Sequence, residues 1–217
     1  MRLEAQDVRF RYGGAGARPG GGPGGGSVPE AGAGPGWVLD GVSLRIEAGE
    51  RVALVGPSGC GKSTLAKILA GYLAPASGAV LLDGAPLPRR GYCPVQMVFQ
   101  HPELSVNPRW NMGRVLTESW APDEALLREL GIEREWLRRW PIELSGGELQ
   151  RFCIARVLGP GTRFLICDEI STMLDVITQA QIWQLLLRVA EERGLGLLVI
   201  THSQPLAEKV CTRIVNL

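Results

Sequence analysis

A surplus of charge of either sign is missing from this sequence. Its 217 residues carry 23 lysines and arginines against 22 aspartates and glutamates, a net charge of +1. That balance leaves no electrostatic footprint for nucleic acid or for an anionic membrane surface. No CxxC pair occurs among the five cysteines, Cys60, Cys93, Cys153, Cys167 and Cys211. An odd, scattered set of this kind excludes a disulfide framework and a cysteine zinc site, and fits reduced thiols in the cytosol. The N-terminal MRLEAQDVRFRY has no apolar h-region, so no signal peptide is read there. No apolar run approaches the roughly 20 residues that a membrane helix needs, and no internal repeat is present. What is left is a soluble chain long enough to bury a substantial core.

Glycine, by contrast, is plentiful in one place. Residues 13–36 hold twelve glycines and four prolines and almost nothing to bury. The composition predicts a flexible surface insert. On either side the pattern is structured. Residues 2–12 alternate like an exposed strand, with Leu3, Ala5, Val8 and Phe10 set between charges, and WVLDGVSLRI resumes that pattern at 37–46. ERVALVG, a short apolar run ending in glycine, reads as a central buried strand of the parallel type. From Lys62 the period turns helical, with Leu65, Ile68, Leu69 and Tyr72 at i, i+3, i+4 and i+7. GAVLLDG, VQMVFQ, RFLICDE and GLLVITH are further strands, and Ile182, Leu185, Leu186 and Val189 form one face of a late helix. Between them, residues 101–158 show no strand run and read as a helical insertion.

Two short stretches carry chemistry. GPSGCGKST, residues 56–64, matches GxxxxGK[ST] and lies after a strand and before an amphipathic helix, where that motif has to lie. Gly56, Pro57, Ser58, Gly59, Cys60 and Gly61 form the loop, whose glycines let backbone N–H groups turn onto phosphates without a Cβ in the way. Lys62 can bridge β- and γ-phosphate oxygens, Ser63 can ligate Mg²⁺ and Thr64 can reach the α-phosphate. RFLICDE supplies the second half. Asp168 at the strand end would hold Mg²⁺ through water, and Glu169 would face the attacking water as general base. Acids at the end of a buried strand are costly unless a cation or hydrogen bond compensates them.

LSGGELQR, residues 144–151, then poses a question, because two glycines behind a serine at a helix start make a second anion cradle. With Gln100 and the ITH at 200–202, all in one order, the chain resembles the ATP-binding cassette (ABC) ATPases over nearly its whole length. In that family two domains pack head to tail, and each signature segment caps the phosphates held by the other's loop. The resemblance therefore implies that Ser145, Gly146 and Gly147 serve a partner's ATP. It implies that Gln100 reaches Mg²⁺ and water, that His202 contacts the γ-phosphate, that Asp175 crosses the dimer interface, and that Tyr12 stacks on adenine. FQHPELSVNPRW and LDVITQAQIWQLL further resemble the peptide and nickel importers of the family, which implies that residues 101–120 dock on a permease. The sequence departs from the family's usual text at Ile170, Ser171, Thr172 and Met173 before Leu174, and at Ser203 where an aspartate is usual. It also stops at TRIVNL, a late strand, short of the final hairpin and C-terminal extension of many peptide importers.

The expected fold is an α/β P-loop NTPase with a RecA-like core over residues 1–100 and 159–217, an antiparallel β portion and a helical subdomain at 101–158. The expected function is ATP hydrolysis with Mg²⁺ at a homo- or heterodimer interface, peripheral to the cytoplasmic face of the membrane, driving import through a permease. A soluble ABC protein acting as a mechanical switch in DNA repair or translation is the alternative. A plain P-loop kinase has no use for LSGGELQR.

The glycine-rich tract gives a test of its own. Deleting residues 14–35 should leave thermal stability nearly unchanged, because little is buried and loop-closure entropy varies slowly with length. A large fall in the melting temperature would show that the tract is packed.

Overall fold

The computed structural model describes residues 1–13, 36–170 and 174–217. Most of the glycine-rich tract (14–35) and three of the residues that depart from the family text (171–173) lie outside them.

The N-terminal strand, β1 (Arg2–Phe10), is an interior strand and not an exposed one, flanked by β2 (Leu39–Glu47) and β4 (Ser77–Leu82). With the two-residue β5 (Ala85–Pro86) these make an antiparallel sheet in the order β2-β1-β4-β5. The apolar residues of β1 do not keep one parity, since Leu3 and Ala5 are odd and Val8 and Phe10 even, yet all four are buried. A bulge reconciles them. Pairing with β2 shifts between Ala5 and Val8, around Asp7 at φ 47°. The extra residue returns Val8 and Phe10 to the core face. Gly78 on β4 makes room for the bulge, because a Cβ there would meet the Gln6 and Asp7 carbonyl oxygens at 2.4 Å.

The second sheet is parallel, in the order β6-β7-β8-β3-β9. Its strands are β3 (Arg51–Val55), β6 (Val95–Val98), β7 (Phe164–Asp168), β8 (Gly196–Ile200) and β9 (Arg213–Asn216). As ERVALVG suggests, β3 is interior, between β8 and β9. Both faces of this sheet are covered, so its strands read as continuous apolar runs. Alternate residues divide between two cores. Phe164, Ile166, Leu198 and Ile200 join Val52 and Leu54 beneath the antiparallel sheet and α1 (Lys62–Leu69). Leu165, Cys167, Leu197 and Val199 join the core of α4 (Gly146–Val157) and α5 (Val176–Arg193) on the other side.

Tyr72 is not part of the buried face of α1. The helix ends at Leu69, Gly71 takes a left-handed φ of 79°, and the Tyr72 and Gly71 amides return to the Lys67 and Ile68 carbonyls. This is the glycine stop in which two late carbonyls find donors, and it leaves Tyr72 exposed. Residues 101–158 contain no strand, as expected, but before α4 their helices are short. α2 (Met112–Leu116) and α3 (Glu124–Glu129) alternate with single 3₁₀ turns. Prolines at 102, 108, 122 and 141 divide the stretch, and each proline removes a helical donor. Asn111 and Asp123 cap α2 and α3 by accepting from the Arg114 and Leu126 amides at 2.9 and 2.8 Å. Met112, Val115, Leu126 and Leu130 share one core with Leu149, Phe152 and Ile154 of α4. Packing on α4, more than helix length, holds this part together. α6 (Gln204–Val210) leads into β9.

Candidate active site

The loop between β3 and α1 is shaped by its glycines. Gly56 and Gly61 are seated against backbone, where a Cβ would stand 2.9 Å from the Leu217 and Val38 carbonyl oxygens respectively, while Gly59, at φ 82°, meets nothing within 4 Å. Gly61 is the N-cap of α1 and supplies no side chain to it. The first-turn amides are thus left for an anion, which the helix dipole also favours. Lys62 is buried and folds back over the loop, its Nζ donating to the Gly56 and Pro57 carbonyls at 2.9 and 2.8 Å. Tyr12 and Thr64 join hydroxyls at 3.1 Å. The exposed Tyr12 ring stands edge-on to Phe10 at the mouth of the cleft.

Opposite the loop stand the two acids. Asp168 is 4% exposed and its Oδ1 accepts from Ser63 Oγ at 3.1 Å. Burial pushes its carboxyl above the usual range, partly offset by the Ser63 hydrogen bond, while the Glu169 charge adds to the rise. Glu169 breaks out of β7 in a left-handed conformation, φ 49°. For a side-chain-bearing residue that costs about 1–2 kcal/mol. Its amide is tied to the Ile200 carbonyl at 3.0 Å. The turn aims the carboxylate between two partners: Oε1 lies 2.6 Å from His202 Nε2, and Oε2 accepts from Gln100 Nε2 at 2.9 Å. Tyr12, Lys62, Ser63, Thr64, Gln100, Glu169 and His202 all line one cleft of about 600 Å³. That is the size of a small-molecule site. Ser203, in place of the usual aspartate, caps α6 by accepting from the Leu206 amide at 3.4 Å.

The second cradle lies elsewhere. Ser145 caps α4 in a reciprocal box, its Oγ accepting from the Glu148 amide at 3.2 Å while Glu148 Oε2 accepts from the Ser145 amide at 2.6 Å. The bond to the Ser145 amide holds the Glu148 carboxyl below its ordinary range. Ser145, Gly146 and Gly147 share a cleft of about 500 Å³ with Asp175, Trp136, Arg151 and Thr178. Asp175 caps α5, accepting from the Ile177 and Thr178 amides at 3.1 and 3.0 Å. No residue lines both clefts. One chain thus holds two separate anion-facing surfaces.

The donors fit a magnesium nucleotide. Among the described residues no group of three or more His, Cys, Asp or Glu could hold a metal. Ser63 and Asp168 offer two hard oxygens beside the phosphate loop, and the Gln100 carbonyl oxygen faces the same cleft. Magnesium is commonly held this way, by one or two protein oxygens with water and substrate phosphates. The sequence motifs did not single out Val38, which lines the phosphate cleft, or Arg151 and Thr178, which line the second. Arg151 was visible at the end of LSGGELQR, but its contacts across the fold were not.

Residues 39–172 match the family model described as ABC transporter. The chain is 39% identical over 199 residues to the nickel import ATP-binding protein NikE of Rhodospirillum rubrum, covering 83% of this chain and 72% of that one. It is 38% identical over 196 residues to the probable peptide ABC transporter ATP-binding protein y4tS of Sinorhizobium fredii, covering 82% and 56%. Among solved structures, the ATP-binding cassette MJ0796, a dimer in a post-hydrolysis state bound to ADP and Pi, superposes with a TM-score of 0.78 at 26% identity, covering 99% of this chain and 94% of that one. The α/β architecture is thus that of a P-loop cassette.

The buried Asp168 charge yields a prediction on the protein without nucleotide. A carboxyl whose pKa is raised by folding destabilises the fold once ionised. Asp168→Asn, which keeps the acceptor for Ser63, should therefore raise the melting temperature at neutral pH. The advantage should shrink as pH falls through the carboxylate range and the wild-type group takes up its proton. A pH series of thermal melts checks this, and a difference that grows toward acid would contradict it.

Proposed function

The chain belongs to the ABC transporter family, and we propose that it is the ATP-hydrolysing subunit of an importer for nickel, a metal chelate or a peptide. The observation that carries the catalytic part is the Glu169 carboxylate, held by His202 at 2.6 Å and Gln100 at 2.9 Å across the cleft from Lys62. When bound, Mg²⁺ and ATP supply the electrophilic γ-phosphorus and much of its charge neutralisation. The remaining work falls to the chain. Lys62 Nζ exchanges the Gly56 and Pro57 carbonyls for phosphate oxygens, a stronger charge-assisted bond. Ser63 and Asp168 hold the metal, with the Gln100 carbonyl oxygen beside them, and Tyr12 offers its ring edge or face to the base. Glu169 takes the proton of the attacking water, and the two bonds on its carboxylate fix its orientation while it does so. His202 Nε2, adjoining Glu169, stands where it also faces the γ-phosphate.

The separation of the two clefts supports assembly in a head-to-tail dimer, in which Ser145, Gly146, Gly147 and Asp175 complete the phosphate site of a second cassette. Homodimer and heterodimer both satisfy that geometry. Residues 101–158 act as the helical subdomain between core and permease. A narrower cleft of about 240 Å³ lined by Phe99, Gln100, His101 and Leu104 reaches the Asp168 site, so a permease docked on residues 101–120 has a direct route to Gln100. The subunit then works at the cytoplasmic face of the membrane without crossing it. No helix among the described residues is long and apolar enough to cross one. Both relatives are transporter subunits by name, and nothing favours the soluble mechanical switch.

Glu169→Gln should keep ATP affinity within about threefold and slow hydrolysis by about 10²–10⁴-fold, the usual effect of losing a positioned base. Turnover close to wild type would remove Glu169 from the role. A mixture tests the shared site. Ser145→Arg and Lys62→Ala chains are each expected to be inactive, while their mixed dimer has one site with both lesions and one with neither, so some hydrolysis returns. No recovery in a preparation shown by light scattering and tagged pull-down to contain mixed dimers would overturn the trans arrangement.

A further inference from the structure

Arg151 reaches across three elements. It lies in the second turn of α4, behind the Ser145 cradle, and its guanidinium forks. Nη1 donates to the Leu130 carbonyl at 2.7 Å, at the end of α3, and Nη2 donates to Thr178 Oγ1 at 3.2 Å in the first turn of α5. Room for the fork is built into the backbone. A Cβ at Gly131 would stand 2.4 Å from Arg151 Nη1, and Gly131 takes a φ of 63°. Thr178 is itself 8% exposed, so this junction is nearly dry.

The direction of the hydrogen bonds follows from chemistry. A guanidinium can only donate and an ionised carboxylate can only accept, whereas a hydroxyl does both. The Thr178 hydroxyl accepts from Arg151, and it hydrogen-bonds the Asp175 side chain. Its one proton must therefore point at Asp175. That bond is the largest influence holding the Asp175 carboxyl below its ordinary range. Capping alone does not call for this arrangement, because the Ile177 and Thr178 amides already satisfy the cap.

We propose that Arg151 and Thr178 form a relay that positions the exposed Asp175 carboxylate relative to the Ser145 cradle, so that one chain presents cradle and carboxylate to its partner cassette as a single preformed surface. Arg151 and Thr178 are positioning residues and touch no nucleotide. The inference rests on reading Ser145 and Asp175 as half of a shared site. It adds that the two are locked together before the partner arrives, which lowers the ordering cost of association.

Thr178→Val keeps the shape and removes the hydroxyl, and Thr178→Ser keeps the hydroxyl and removes the methyl. In the full chain, Thr178→Val should lower turnover at saturating ATP at least fivefold while ATP affinity stays within twofold. The Asp175 carboxyl, followed by carbon NMR, should titrate at higher pH than in wild type. Thr178→Ser should restore both readings. Arg151→Lys, which keeps the charge and loses the fork, should resemble Thr178→Val, and combining the two should add no further loss. Wild-type turnover in Thr178→Val, equal damage from Thr178→Ser, or multiplying losses in the double variant would each overturn the relay. The Ser145→Arg and Lys62→Ala mixture separates the two levels. Recovery there with a silent Thr178→Val removes the relay alone, and no recovery in verified mixed dimers removes the shared site and the relay with it.

Discussion

Parallel pairing of four neighbouring strands is the constraint on which everything else in this chain depends. In the order β6-β7-β8-β3, Val98 pairs with Cys167, Asp168 with Ile200 and Leu54 with Ile200, so all four strands end at one level. The chain leaves the sheet there as Gln100, Glu169, His202 and the phosphate loop, in that spatial order. Glu169 is bracketed because β7 lies between β6 and β8. Ligand sites at the carboxyl ends of open α/β sheets are the general rule, and here the register decides which side chain meets which.

The same edge gathers unfavourable terms. Asp168 is buried as an acid, Glu169 adopts a backbone conformation that disfavours a side chain, and Lys62 is buried as a cation. Each is partly offset by a local bond, from Ser63 to Asp168, from the Glu169 amide to Ile200, and from Lys62 to the loop carbonyls. A bound magnesium nucleotide would offset them further by supplying charges of the opposite sign. The residues least suited to the isolated fold are those most suited to the ligand, a familiar pairing of strain and function.

How far the sequence disclosed this depends on the range of the interactions. GPSGCGKST and LSGGELQR are local, since their glycines and caps act within a few residues, and both fold as their spacing suggests. Strands such as RVALV and FLICD were legible because a sheet covered on both faces demands unbroken apolar runs. The bulge at Asp7 was not, although the parity change from Ala5 to Val8 carried its trace. Tyr72 continued the helical spacing on paper, but Gly71 closed the helix first. The Glu169 turn left no trace, because nothing in the text of β7 says that its last acid will twist out of the strand. Arg151 and Thr178 were hidden for a different reason: their contact spans 27 positions, and only the packing of α4 against α5 creates it.

The two cradles differ in a way that bears on assembly. The loop at Gly61 leaves the first turn of α1 without a side-chain cap, whereas Ser145 and Glu148 close the first turn of α4 on themselves. An uncapped turn gains much from an anion, since it has donors to satisfy. A capped turn gains less, and can remain stable with no anion near. The loop is thus suited to hold a nucleotide within one chain, and the signature helix to stand exposed until a second domain brings one. Ser145 Oγ already accepts from the Glu148 amide, so its hydroxyl proton is left to point outward toward an incoming phosphate. A single serine can therefore stabilise its own helix first and close a partner's site afterwards.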